Sequence, residues 1–280
     1  MDRLKNSWEL VKASARVLAQ DKELMVFPFI SSLGVILVSL TFALPLFLAG
    51  RVENLIEGGG QVAGMAVLFL FYLVQYFVIF FANTALVGAA LIRLRGGDPT
   101  LGDGFRIAFS RFGPILGYAL VAATVGMILK ALSRKRSGLV RTASSLLGLG
   151  WSIATFLVVP VLAVENLGPL QAIQRSVSLL KKTWGEQIAG NLGLGAFFGI
   201  LTLAVVLVSL ALGVGSIMLL ETPWVAVALA VLLVVFLLVS GLVQSTLNGI
   251  YTAAVYTYAV DGRSGFFDET LVREAFQSGS

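Results

Sequence analysis

Long apolar runs alternate with short polar stretches along the whole chain. Six runs stand out: Leu24 to Ala49, Val62 to Ile92, Phe112 to about Leu132, Ala143 to Val164, about Ile188 to Leu220, and Trp224 to Val260. A helix rises about 1.5 Å per residue, so about 20 residues cross a hydrocarbon core about 30 Å thick. All six runs reach that length. The second, fifth and sixth exceed it and have room to tilt or to extend past the head groups. Backbone polar groups in hydrocarbon must be satisfied within their own segment, so every run is predicted to be a helix. The expected fold class is all-α, a polytopic membrane bundle of six transmembrane helices. Residues 1–23 would form an amphipathic cytoplasmic helix, 24–260 the membrane domain and 261–280 a cytoplasmic tail.

Prolines punctuate this map. Pro45 falls near the end of the first run and Pro223 just before the sixth. Pro114 opens the third, where a missing N–H costs nothing. Pro160 lies inside the fourth and is expected to kink it.

The polar connections are themselves patterned. Leu4, Trp8, Val11, Ala15 and Leu18 recur at helical spacing, with Lys5, Glu9, Lys12 and Arg16 opposite. Leu170, Ile173, Val177, Leu180 and Trp184 make a second stripe; Leu101, Phe105, Phe109 and Phe112 make a shorter third. Two settings suit such stripes: the head-group plane, apolar face down and basic face up, or a loop helix packed on the bundle. The first is the expectation, with Trp8 and Trp184 at interfacial depth. Turn chemistry recurs too, at Gly96 to Pro99, Asn166 to Pro169 and Asp261 to Ser264. The layout reads as three copies of an amphipathic helix plus a helical hairpin, with Gly265 to Phe276 as a tail of the same kind.

Charge sets the orientation. If six spans alternate, fourteen of the 20 Lys and Arg residues share a side with both termini and six lie opposite. The positive-inside rule then places both termini in the cytoplasm. The stretch Ser133 to Arg141, SRKRSGLVR, is strongly basic yet falls on the outer side. Either a neighbouring run does not fully cross, or the loop violates the rule without consequence, or it has an external partner. The N-terminal stretch is too long and too acidic for a signal-peptide n-region.

Composition narrows the function classes. The chain is 58% hydrophobic and 12% charged, about half the charge of a soluble domain. It has no Cys and no His, which excludes disulfides, thiolate or imidazole metal sites, and Cys- or His-based catalysis. No nucleotide, hydrolase or phosphate-loop motif is found, so no cofactor is expected. The net charge of +5 resides between apolar runs, which points to anionic lipid head groups and not to nucleic acid. Candidate head-group contacts are Lys12, Arg106, Arg175, Lys181 and Lys182. Asp98 and Asp103 flank a basic connection, where a turn and a helix cap are expected in preference to an acid pair.

No charge lies deep in any run, which argues against a proton- or sodium-coupled transporter. Uncharged polar residues concentrate in the second and sixth runs. Gln75, Asn83, Gln244 and Asn248 form a candidate intramembrane polar site, with interhelical hydrogen bonds as the alternative reading. Small residues suggest close-packing seams: Gly241, Ser245, Gly249 and Ala253; Thr84 and Gly88; Gly113 and Gly117; Gly195 and Gly199.

Three segments carry a resemblance: SWELVKASARVLAQDKELMVFP (7–28), WSIATFLVVPVLAVENLGPLQAIQRSVSLLKKTWGEQIAGNLGLG (151–195) and AVYTYAVDG (254–262). Together they look like an uncharacterised prokaryotic membrane family, domain of unknown function 6159. The resemblance implies the fold and location, the inner membrane of a prokaryote, but no activity. More distantly, the layout is similar to the membrane part of some glycerophosphodiester phosphodiesterases, without their catalytic domain. The expected function is that of a non-enzymatic membrane protein organising lipid, a protein partner or copies of itself. The alternative is a transporter or lipid-handling channel using the amides of the second and sixth helices.

Overall fold

The computed structural model describes residues 14–48, 61–133, 138–182, 186–220 and 223–261. They are almost wholly helical, and no strand occurs among them. A helical segment, α1 (14–20), leads through a 3-10 turn at Lys22–Met25 into α2 (Val26–Leu48). Then follow α3 (Gln61–Leu94), α4 (Leu101–Ser110), α5 (Phe112–Ser133), α6 (Gly138–Ala154), α7 (Val158–Val164), α8 (Pro169–Lys182), α9 (Glu186–Leu220) and α10 (Pro223–Asp261).

Among the described residues, six stretches are long and apolar enough to span a bilayer: Lys22–Pro45, Val62–Leu94, Phe112–Ser133, Val140–Val164, Leu194–Met218 and Pro223–Asp261. Each matches one of the six apolar runs. Leu37, Met65, Leu120, Leu146, Leu203 and Leu232 are all exposed on the helix surfaces. Apolar surface this continuous is not tolerated against water. In hydrocarbon it is what a spanning helix presents, so the chain is a multi-pass membrane protein.

The bundle is organised around α3, which packs against α2, α4, α5, α7 and α10. Its second half is therefore buried on every side: Ala82, Ala85, Leu86, Val87, Ala89, Ala90, Leu91 and Leu94. The alanines and Gly88 permit that crowding, since small side chains let helix backbones approach. Gly249 of α10 lies directly on Leu86, and Gly88 lies under Ile107 of α4. By contrast, no atom lies within 4 Å of a methyl built on Gly195, Gly199, Gly241 or Gly113. The stripes thus differ: Thr84 with Gly88 is packed, Gly195 with Gly199 is open, and the stripes of Gly241 and Gly113 are packed only in part. Before that crowded stretch α3 joins its neighbours by rings, with Phe71 on Phe42 of α2 and Phe80 on Tyr118 of α5, centroids 5.5 and 4.5 Å apart. The paired helices α9 and α10 face outward along much of their length.

Pro160 breaks the fourth span as expected. The helix stops at Ala154, turns through 155–157 and resumes as α7. A proline ring clashes with the carbonyl four residues earlier and cannot donate to it, which places the break at Phe156. The freed N–H of Leu157, wholly buried, donates to Ser176 Oγ of α8 at 3.1 Å. An amphipathic connecting helix thereby repairs a broken spanning helix. The order of amphipathic helix then hairpin recurs three times among the described residues, at α1 with α2–α3, α4 with α5–α7, and α8 with α9–α10.

Candidate functional site: the polar end of the bundle

The polar chemistry of the described residues gathers at the end of the bundle where α3 and α7 finish and α4 and α8 begin. The corner after α3 is built by local rules. Gly96 adopts φ +85°, and Gly97 N–H donates to Ile92 O at 3.0 Å while Gly96 N–H donates to Arg93 O at 2.9 Å. This Schellman closure needs a residue without Cβ at Gly96. Thr100 then caps α4. Asp103 N–H donates to Thr100 Oγ1 at 3.2 Å, and Thr100 N–H returns to Asp103 Oδ2 at 3.1 Å. The Thr100 hydroxyl also donates to Asp103 Oδ2 at 2.7 Å, and this bond first, then that from the Thr100 N–H, holds the Asp103 carboxyl below its ordinary value. Asp103 is therefore a helix cap, as the sequence suggests.

Arg93, one turn before that corner, forks onto Asp21 through Nε and Nη2, and Nη2 also donates to Asp98 Oδ1 at 2.5 Å. The Arg93 and Asp21 side chains are only 18% and 10% exposed, whereas Asp98 is 92% exposed. The pair clamps the entry to α2 against the exit of α3.

A second cluster ties α7, α8 and α10. Arg175 Nε donates to both Glu165 oxygens at 3.0 and 3.1 Å, and Tyr256 OH donates to Glu165 Oε1 at 3.1 Å. Beside it, Arg111 Nη1 donates to Asn166 Oδ1 at 2.5 Å and Nη2 to the Val164 carbonyl at 3.3 Å. The second and fourth apolar runs thus end, and the third begins, on a charge or amide bonded to another element. Sequence reasoning treated Arg93 and Arg111 only as topology signals and did not find Asp21, Asn166 or Tyr256 as partners. For Arg93, Arg111 and Asn166 the one visible signal is a polar residue at the margin of an apolar run.

The outer faces of α4 and α8 carry further cations. Arg106 is 82% exposed beside Phe109 at 64%, and Lys181 is exposed on the helix whose Leu170 is 63% exposed. The inner face of α8, with Ala172, Ser176, Leu179 and Leu180, is buried against the bundle. Arg175 belongs to the Glu165 cluster and is half-buried. Lys12 and the side chain of Lys182 lie outside the described residues, as do Trp8, Trp184 and the tail.

The intramembrane amides divide. Gln75 Nε2 donates to Ser39 Oγ at 2.8 Å and to Val35 O at 3.3 Å, so it joins α3 to α2 and not to α10. Asn83, Gln244 and Asn248 are half-buried on α3 and α10, and Asn248 Oδ1 is buried without a hydrogen-bond partner. Hydroxyls of the spans, such as Thr84, Thr246 and Thr257, return to carbonyls of their own helix, a pattern that satisfies them without a ligand.

No curated protein matches the chain, and the likeness to phosphodiesterase membrane regions has no match behind it. Residues 62–266 match the model of a family of unknown function, DUF6159. The match takes in α3 to α10 and leaves out α1 and α2, so the resemblance of segment 7–28 falls beyond it. A match over that share of its length shows that the chain belongs to the DUF6159 family.

Proposed function

We propose that this is a non-enzymatic membrane protein that gathers anionic lipid at the face formed by α4 and α8. One observation carries the reading. Two amphipathic helices sit on the same end of the bundle, and each turns both a cation and a bare apolar side chain outward: Arg106 with Phe109, Lys181 with Leu170. Such a pairing suits the boundary of head groups and hydrocarbon, where the ring or leucine enters the acyl region and the cation meets phosphate. On this reading α4 and α8 lie at the cytoplasmic surface, both termini are cytoplasmic, and the membrane is the inner membrane of a prokaryote. A protein partner or a second copy would approach the same face.

The expected outcome is specific. Protein extracted in mild detergent with a mixture of phosphatidylglycerol and phosphatidylcholine retains the anionic lipid preferentially, as counted by native mass spectrometry. Replacing Arg106→Gln and Lys181→Gln reduces that preference, about fivefold for each cation, since each is worth about 1 kcal/mol near a charged surface. An unchanged ratio would count against the lipid reading and leave the protein-partner arm, tested by the same variants in cross-linking.

A polar path between α3 and α10 is the second reading, favoured by the unpartnered Asn248 Oδ1. Against it, Thr84, Ala85, Thr246 and Leu247 beside the amides are all buried.

A further inference from the structure

Between the second half of α5 and most of α6 lies an open groove of about 770 Å³. It runs from Leu132 and Ala143 at the end remote from α4 and α8 to Val125 and Ala154 in the bundle interior, with Gly150 and Trp151 on its wall. Its lining is almost entirely apolar. A space without polar partners does not hold ordered water. The eleven-residue step from Ala143 to Ala154 spans about 16 Å of helix, which is one leaflet of a hydrocarbon core about 30 Å thick. Its volume lies in the range that holds a single small ligand.

Among the described residues, the charge at the groove's outer end is basic. Lys130 and Arg141 are exposed there, and among the described residues neither pairs with a carboxylate. Lys130 Nζ instead donates to Tyr72 OH at 2.5 Å and stands 5.2 Å from that ring's centroid. From Lys130 to Arg141 the sequence holds five basic residues and no acidic one. This is the stretch whose charge conflicts with its expected side of the membrane.

From this juxtaposition we infer that the groove between α5 and α6 holds an acyl chain of an anionic phospholipid whose phosphate is met by Lys130 and Arg141. The apolar walls take the chain for the depth of one leaflet. The cations select the head group. The lipid supplies a counter-charge that none of the described residues gives to Lys130 or Arg141, and a basic loop on the outer side then has a physical reason to be there. The site lies at the opposite end from the face treated under Proposed function and stands or falls separately.

Trp151 provides the readout. A variant carrying Trp8→Phe, Trp184→Phe and Trp224→Phe leaves Trp151 as its lone tryptophan, because the chain has four. In phosphatidylcholine vesicles, acyl-brominated phosphatidylglycerol should quench Trp151 at a mole fraction at least about fivefold lower than brominated phosphatidylcholine does, the preference one surface cation confers. Lys130→Gln with Arg141→Gln should bring the two lipids together. Gly150→Leu, at a position with no atom within 4 Å, should fill the groove and reduce quenching by both. Equal quenching by the two lipids in the parent protein would overturn the inference, leaving only ordinary annular lipid. So would a preference that survives both substitutions at Lys130 and Arg141.

Discussion

Arg93→Ala is expected to lower the stability of the bundle by about 3 kcal/mol, read as a fall in the thermal midpoint of the protein in mild detergent. The reason is the partner it leaves behind. Asp21 is nearly buried and receives two donors from Arg93, and truncating one member of a buried pair strands an uncompensated charge. Asp98 adds little, because it is exposed and its attraction is screened by solvent. Asp21→Asn made together with Arg93→Ala should therefore regain much of the loss, as a double-mutant cycle reads it. A loss below about 0.5 kcal/mol would place the pair with ordinary surface contacts and remove the clamp between α2 and α3.

The second large effect is steric. A methyl added at Gly104 would sit 2.5 Å from Phe27 Cζ and 2.7 Å from the Ala85 carbonyl oxygen. The ring is buried and the carbonyl is backbone, so neither can retreat cheaply. Gly104→Ala should cost about 1–3 kcal/mol through overpacking and loosen α4 from α3. Gly102→Ala on the same helix is the control. Its nearest neighbour would be Thr100 Oγ1 at 3.6 Å, and the change should be neutral or stabilising by up to about 1 kcal/mol, since glycine weakens a helix relative to alanine. Equal effects at both positions would mean that α4 does not rest on α3 at Gly104.

Much of the fold is legible in the sequence. The six spans follow from run length and transfer energy, which depend only on local composition. The break before Pro160 and the cap at Asp103 follow from backbone rules that act within four residues. What was not legible is which distant groups meet. Gln75 carries the same amide whether it faces α2 or α10, and only the assembled bundle brings it to Ser39. The stripe Gly195 and Gly199 looks like the stripe Gly249 and Ala253, yet only the second meets a neighbouring helix. Small residues permit close approach without requiring it. Periodicity likewise announces that α8 has an apolar face without saying whether lipid or protein covers it. The bond from Leu157 to Ser176 answers for the inner part of that face, while Leu170 remains exposed.

If α5 crosses the bilayer, the cations of the two ends lie on opposite sides. The chain has no native cysteine, which makes single-site labelling clean. Ser110→Cys, Ser178→Cys and Ser133→Cys place thiols at exposed positions before α5, on α8 and at the end of α5. In sealed vesicles of known orientation, a membrane-impermeant maleimide should reach the first two from the cytoplasmic side and the third only from the other. Labelling of all three from one side would contradict the six-span arrangement.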